Sequence, residues 1–342
     1  MSLNNKKIIL GIETSCDETA AAVVVNGREV LSNVIASQID VHREYGGVVP
    51  EIAARKHMDV IPYIVESALT QADIHLGEIH GIAVSNGPGL VGALLIGLSY
   101  AKSLAFVKNI PLLGVHHIYS HICANYLLDN ETCSQVCEPP FICLVVSGGH
   151  THLIHVEDYQ KCRVLGRTRD DAAGEAFDKV GRTLGLPYPA GPEIDKLSRQ
   201  GNPRAISFPR ANFKAEPTNS LDFSFSGLKS AVIQYLQKNK GADVADIASS
   251  FQQAIIDVLV SNTIEAAAQT GITKIALAGG VAANNGLRNC MDLECRRQGI
   301  TLYMPKTIYC TDNAAMVASG GYYKYDRPDS YNLNAHPNMD IS

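Results

Sequence analysis

The sequence lacks a basic excess, a long hydrophobic run and any low-complexity segment. Its 29 lysines and arginines face 34 aspartates and glutamates, so no overall positive field exists to hold a phosphate backbone unaided. Nucleic-acid contact would need a local patch or partner proteins. No apolar run of roughly 18 residues stands uninterrupted, and Met1 to Lys7 is polar, which predicts neither a membrane span nor a signal peptide. Nine cysteines, odd in number and irregularly spaced, read as free thiols in a reducing compartment, so the cytoplasm is the expected location. What is present is the bulk of an ordinary soluble enzyme: 46% hydrophobic and 18% charged residues exclude a disordered or collagen-like chain. At 342 residues the chain exceeds one compact core, which predicts two lobes of similar size.

Hydrophobic patterning supplies the organisation. Ile8 to Ile12 reads as a strand, Glu13 to Thr19 as a polar turn and Ala20 to Val25 as a second strand. A unit of the same shape begins at Phe141: Ile142 to Val146 runs into Ser147-Gly148-Gly149-His150-Thr151 and returns through His152 to Val156. The half-chain spacing suggests a duplicated domain. Between the two, Ile82-Ala83-Val84 leads through Asn86-Gly87-Pro88-Gly89 into a small-residue helix from Val91 to Phe106, a passage typical of α/β proteins. Charges, two cysteines and a Pro-Pro pair interrupt the pattern from Asp129 to Pro140. The lobe boundary is placed there, giving 1–137 and 138–342, with the last helix able to cross back to the first lobe. Later segments read as helices over Gly174 to Leu184 and Ala245 to Thr270, a strand over Lys274 to Ala278, and helices starting near Asn284 and Asp312.

Two glycine turns follow strands in the second half. At Ser147-Gly148-Gly149 and at Gly279-Gly280 the missing Cβ lets backbone N–H groups approach a phosphate or acyl oxygen, although a plain hairpin needs glycines just as much. Asn284, at a helix start, repeats the anion-binding logic. His117 and His121 stand four apart and share a helix face if the segment is helical, so they could hold one metal ion. Ile118 occupies the place where a metalloprotease needs glutamate, and that motif is not met. Asp312 is a candidate third ligand, but the commoner task of aspartate before an alanine-rich helix is the N-cap, and spacing alone does not join it to the histidines. Asp170 to Asp178 places four carboxylates at a helix start; Asp178 falls a turn inside, beyond the helix-end effect, where a polar ligand such as ribose would suit it. Pro189-Ala190-Gly191-Pro192 reads as a rigid turn before Glu193 and Asp195. Cys133 and Cys137 have no second thiol pair at zinc-site spacing.

Taken together, these blocks resemble the TsaD family, the bacterial members of the universal threonylcarbamoyl-adenosine transferases. The resemblance runs through Gly11 to Thr19, Tyr45 to Glu51, Asn86 to Leu90, the histidine motif, Val146 to Thr151, Asp170 to Lys179, Phe223 to Lys229, Gly279 to Asn284 and Thr311 to Ala315. It implies an α/β fold of two duplicated actin-like (ASKHA) lobes with a ligand cleft between them. It implies His117, His121 and Asp312 as metal ligands, for one iron(II) ion per subunit, with zinc also suited to such a set. Val145, Val146, Ser147, Gly148, Gly149, Asp178, Gly191 and Asn284 match substrate-binding positions, and Asp195 joins them. The implied donor is threonylcarbamoyl-adenylate, and the acceptor is N6 of the adenosine 3′ of the anticodon in tRNAs reading A-starting codons. The implied partners are tRNA, the paralogue TsaB through the N-terminal lobe and the P-loop ATPase TsaE, with no membrane. Two departures stand out: Ala190 where the family usually has glycine, and Tyr119-Ser120 in place of a common Glu-Gly.

Attack by a weakly nucleophilic amine on an acyl phosphate calls for positioning and charge stabilisation more than for a covalent intermediate. Asp17 or Glu18, in the first hairpin turn, is the candidate to orient that amine or accept its proton. The competing readings are a kinase or ATPase of the same superfold, a metallopeptidase, and a non-enzymatic platform resembling TsaB. A paired-histidine site is not what magnesium-assisted phosphoryl transfer requires, and the retained His, His, Asp set argues against the platform.

Overall fold

The computed structural model describes residues 6–128, 136–213, 215–216 and 218–341; Cys133 and most of the segment carrying the expected boundary lie outside them. The chain divides into two units, Met1–Glu138 with Thr311–Ser342, and Pro139–Cys310.

In the first unit, β1 (Ile8–Glu13), β2 (Glu18–Val25) and β3 (Glu29–Ser37) form an antiparallel meander, followed by α1 (Ile39–Arg43) and α2 (Pro50–Gln71). Then come β4 (Gly81–Gly87), α3 (Val91–Lys108), β5 (Leu112–His116) and α4 (His117–Cys123). The sheet order is β3-β2-β1-β4-β5, with β4 parallel to β1 and β5 parallel to β4. The central strands are apolar at nearly every position because both faces of the sheet are covered. Leu10 and Ile12 share one core with Ile61 and Val65 of α2 and Leu98 of α3.

The second unit repeats the plan. A meander of β6 (Phe141–Val146), β7 (Thr151–Asp158) and β8 (Lys161–Arg167) precedes α5 (Ala173–Thr183), α6 (Ala190–Ser198), α7 (Ser226–Lys238) and α8 (Val244–Thr270). After these, β9 (Lys274–Ala278), α9 (Asn285–Gln298) and β10 (Thr301–Tyr303) complete the unit. Its order, β10-β9-β6-β7-β8, is that of the first sheet with β6 in the role of β1 and β9 in that of β4. The expected duplication is thus one of topology: a three-stranded meander extended by two parallel strands. Helices α3 and α8 are long and apolar enough to span a membrane by length and composition; α8 is mostly buried, with Phe251, Ile255 and Leu259 in the core of the second unit.

Two sequence expectations are refined. Residues 311–342, placed in the second lobe by the sequence reading with the last helix able to cross back, belong to the first unit, because α10 (Ala314–Tyr323) packs against β1, β2 and β4. Gly11 points to the face of β1 opposite Leu10 and Ile12, and a Cβ there would run into the Ala314 carbonyl and Ala318; one at Gly321 would strike Ala83. The small residues of α10 allow this approach. Second, Pro189 to Pro192 is no free turn. Pro189 is the N-cap of α6, and Pro192 sits in its first turn, where a missing N–H leaves no hydrogen bond unmade.

Candidate metal centre and ligand-binding turns

In the first unit, β5 ends in His116, whose extended backbone and side chain cap α4: Nδ1 accepts from Ile118 N at 3.1 Å and Tyr119 N at 3.4 Å. Capping fixes the helix start, so His117 and His121 fall one turn apart, with ring centroids 4.7 Å apart and planes at 78°. Asp312 reaches them from just before α10. Its Oδ1 lies 3.1 Å from His121 Nε2 and 3.6 Å from His117 Nε2. The cap of α10 is Asn313, which accepts from Met316 N at 3.0 Å, so Asp312 is not spent on the helix end.

Glu13, a residue the sequence reading passed over, completes the arrangement. It is fully buried at the end of β1 and accepts from Ser15 N at 2.6 Å, Ser85 Oγ at 2.5 Å and His117 Nδ1 at 3.1 Å. Ser15 Oγ lies 3.1 Å from the same nitrogen. The carboxylate therefore keeps the proton on Nδ1 and leaves His117 Nε2, the nitrogen facing Asp312, as a lone-pair donor. Burial pulls the His117 imidazole down, but the charges of Asp312 and Glu13 outweigh it and push it up to about 9, so without an ion Nε2 also carries a proton, which a bound cation would displace to use the lone pair. Burial pushes Glu13 up, yet its bonds with His117 and Ser85 leave it below the ordinary carboxylate value.

The donor set fits a metal ion. Ligand atoms of His117, His121 and Asp312 all lie within 4.8 Å of one another. Around a tetrahedral ion bound at about 2.0–2.1 Å, donors stand roughly 3.3 Å apart, which the two Asp312 separations bracket. Among the described residues neither nitrogen of the buried His121 ring has a hydrogen-bond partner, although Asp312 Oδ1 lies 3.1 Å from Nε2, an arrangement that a bound cation would satisfy. Among the described residues three candidate ligands come together, so a tetrahedral ion held there would keep one position open, as catalytic sites do.

The two expected acid–base groups stand beside this cluster. Burial, followed by the charges of Asp312 and Asp17, lifts the Glu18 carboxyl well above the ordinary range, against the pull of the Ser37 hydroxyl, which donates to it at 3.3 Å. Burial and the neighbouring carboxylates also raise the Cys16 thiol, which keeps it protonated and unsuited to nucleophilic work.

The remaining expected positions lie in the second unit, where strands β6 and β9 end side by side. Val145 and Val146 are fully buried within β6, so only their backbone can face a ligand. Ser147 N donates to His150 O at 2.8 Å, closing the turn, while Gly148 and Gly149 are exposed with open space where a Cβ would stand. Gly279 adopts φ +87° against the Val146 backbone, and Gly174 at the start of α5 abuts Ser147 and Gly148. Two glycine turns and a helix N-terminus thus converge on the carboxyl ends of parallel strands, the usual ligand position in open α/β sheets.

Asp178, Asp195 and Asn284 are more committed than the sequence suggests. Asp178 Oδ1 accepts from Ala190 N at 2.8 Å, tethering the start of α6 next to Gly191. Ala190 is accommodated by Gly181, whose missing Cβ leaves room for the methyl. Asp195 accepts from Asn285 Nδ2 at 2.8 Å, Arg199 at 3.0 Å, Gly286 N at 3.3 Å and Gln252 at 3.3 Å. Asn284 caps α9 through Leu287 N at 2.9 Å and donates to Gln252 at 2.7 Å. A cavity of about 430 Å³ opens beside this network, lined by Asp195, Ser198, Gln252, Gly286 and Asn289 among others. Cys137 is buried, its N–H donating to Asn125 O at 3.2 Å.

Comparison with known proteins agrees with this chemistry. A family model described as "TsaD: tRNA N6-adenosine threonylcarbamoyltransferase" matches residues 29–319. The chain belongs to the TsaD family. It is 56% identical over 339 residues to the tRNA N6-adenosine threonylcarbamoyltransferase of Clostridium botulinum (strain Kyoto / Type A2), covering 97% of each chain. The protein of the same name from Clostridium perfringens (strain SM101 / Type A) is 55% identical over 341 residues, 98% of each. Among solved structures, full-length HypF in its phosphate- and nucleotide-bound form matches 94% of this chain and 46% of its own, with TM-score 0.61 and 13% identity. Component A of the (R)-2-hydroxyglutaryl-CoA dehydratase of Acidaminococcus fermentans matches 94% and 100%, with TM-score 0.52 and 16% identity. These two likenesses bear on the fold alone: both proteins share its architecture over nearly the whole of this chain.

Proposed function

We propose that the chain transfers the threonylcarbamoyl group from threonylcarbamoyl-adenylate to N6 of the adenosine 3′ of the anticodon in tRNAs reading A-starting codons, releasing AMP. The observation that carries this reading is the convergence of His117, His121 and Asp312, from distant parts of the sequence, in a member of this family. In the reaction, a bond forms between N6 and the carbamoyl carbon while the bond from that carbon to the phosphate oxygen breaks, and the amine gives up a proton. Held by those three residues, iron(II), or zinc in its place, would supply a Lewis acid for the donor's oxygens. Glu13 holds the His117 ring in register. Asp17 or Glu18 orients the attacking amine or takes up the proton it releases. In the second unit, the turns at Ser147 to Gly149 and Gly279, with Asp178, Gly191, Asp195 and Asn284, hold the AMP portion through backbone N–H groups and hydroxyl-binding oxygens.

The acidic balance of the chain favours sharing the tRNA with partners, for which TsaB and TsaE are the proposed candidates, in the cytoplasm. Incubating tRNA with labelled threonine, bicarbonate, ATP, the adenylate-forming synthase and the reconstituted complex, then analysing nucleosides by mass spectrometry, tests the activity. The doubly substituted His117→Ala/His121→Ala protein should carry no metal and make no product. Full turnover by that metal-free protein would refute the proposal.

A further inference from the structure

Thr14 and Ser15, the near side of the β1–β2 turn, are held by α3 and its leading loop: Thr14 Oγ1 donates to Ala93 O at 2.9 Å and Leu90 N donates to Ser15 O at 2.8 Å. The far side, which carries Asp17 and Glu18, is held differently. His57 Nε2 lies 2.9 Å from Cys16 O, and Gln38 N donates to Asp17 O at 3.1 Å. A carbonyl can only accept, so His57 carries its proton on Nε2 and its Nδ1 is an acceptor. That nitrogen receives Thr19 Oγ1 at 2.8 Å and Gln38 Nε2 at 3.4 Å. The Gln38 amide also donates to Ala53 O at 3.4 Å, which turns its oxygen toward His42 Nε2 at 3.2 Å. His42 Nδ1 in turn accepts from Val49 N at 3.3 Å, the residue that precedes α2.

Each link fixes the polarity of the next: Val49 N–H to His42, His42 to Gln38, Gln38 to His57, His57 to Cys16 O. His42, Gln38 and His57 are all buried, so a reversed link would strand a polar atom away from water. We propose that His42, Gln38 and His57 are positioning residues, a directional hydrogen-bond chain that sets the Cys16–Glu18 turn and couples it to the Tyr45–Val49 segment. The inference rests on the proposed role of Asp17 and Glu18. It adds that two separate motif blocks, Gly11 to Thr19 and Tyr45 to Glu51, act as one unit. Burial holds His57 below the ordinary imidazole value, against the pull of Glu13 and Asp17, which keeps the ring neutral and the polarity of the chain intact.

The test uses the full-length protein in its reconstituted complex. Gln38→Met keeps the side-chain length and removes both links, Gln38→Glu keeps the shape but offers acceptors only, and His57→Phe fills the ring volume without polarity. Three readouts apply: metal content, kcat and KM for the adenylate, and hydrogen exchange of peptides spanning 14–20 and 45–51. Expected for Gln38→Met and Gln38→Glu are unchanged metal content and KM, faster exchange in both peptides, and kcat lower by roughly 10- to 100-fold, as for a misplaced group. The kcat loss should not multiply with that of Asp17→Asn or Glu18→Gln when the substitutions are combined. Unchanged exchange in the two peptides overturns the coupling whatever the turnover, and so does a kcat loss that multiplies. If Asp17→Asn and Glu18→Gln both turn over at the wild-type rate, the reading of those carboxylates falls. If they are impaired while Gln38→Met is not, the positioning chain alone falls.

Discussion

A buried carboxylate is tolerable only when its oxygens are used, and Glu13 uses both, on Ser15, Ser85 and His117. Glu13→Gln puts an amide donor against groups that already donate, so His117 loses its fixed tautomer. Metal affinity, measured by competition with a chromophoric chelator, should fall by about 10- to 100-fold. Asp195 gives a pH signature. Burial raises its carboxyl, but Asn285, Arg199 and the Gly286 N–H outweigh that and hold it below the ordinary value. An unfolded aspartate titrates near about 3.9, so the stabilisation is present above that pH and lost as pH falls through the lower folded value. Urea titrations should therefore find Asp195→Asn less stable than wild type at about pH 7, with the gap shrinking toward about pH 3. The histidine pair was legible because four-residue spacing on a helix is a sequence signal. Asp312 was legible only as a candidate, since Asn313 beside it is an equally good cap and only the fold shows which residue took that task. Glu13 was hidden because in the sequence it belongs to a polar turn, and its pairing with Ser85 and His117 exists only after β4 and α4 have packed.

At the scale of elements, the weight falls on α10, which covers one face of the first sheet and delivers Asp312. Gly11→Ala would drive a methyl into its first carbonyl, and overpacking of this kind costs about 1–3 kcal/mol, readable as a lower urea midpoint. Asn313→Ala removes the N-cap and should cost about 1 kcal/mol. It should also weaken metal binding, because the residue before the cap loses its anchor; paired thermal-melt and chelator titrations check both. Strands β1, β6 and β9 and helices α3, α5, α8 and α9 could be read from apolar runs and glycine turns. Helix α2 was not, since Pro62 interrupts its pattern, and α6 was taken for a turn because Pro189 at its N-cap and Pro192 in its first turn both read as breakers. In both cases tertiary packing overrides a local preference: Ile61, Val65 and Ala68 are buried against the first sheet, and Ile194 in the second core.

For the molecule as a whole, repetition of one sheet plan was foreshadowed by the two hairpins half a chain apart, and the return of the last helix to the first lobe was allowed for, but not which strands it covers, because no sequence signal marks which face of a sheet a terminal helix will meet. The second unit, Pro139–Cys310, is contiguous and has its own core. Expressed alone, residues 139–310 should unfold cooperatively in urea by circular dichroism. Residues 1–138 alone should not, because the face of β1 around Gly11 is left bare. This discontinuity also orders events during synthesis. His121 leaves the ribosome 191 residues before Asp312, a delay of about 10–40 s at roughly 5–20 residues per second. Throughout that interval two imidazoles wait without their carboxylate, so a chain that stops before Asp312 lacks one of the three proposed ligands and should bind an ion more weakly.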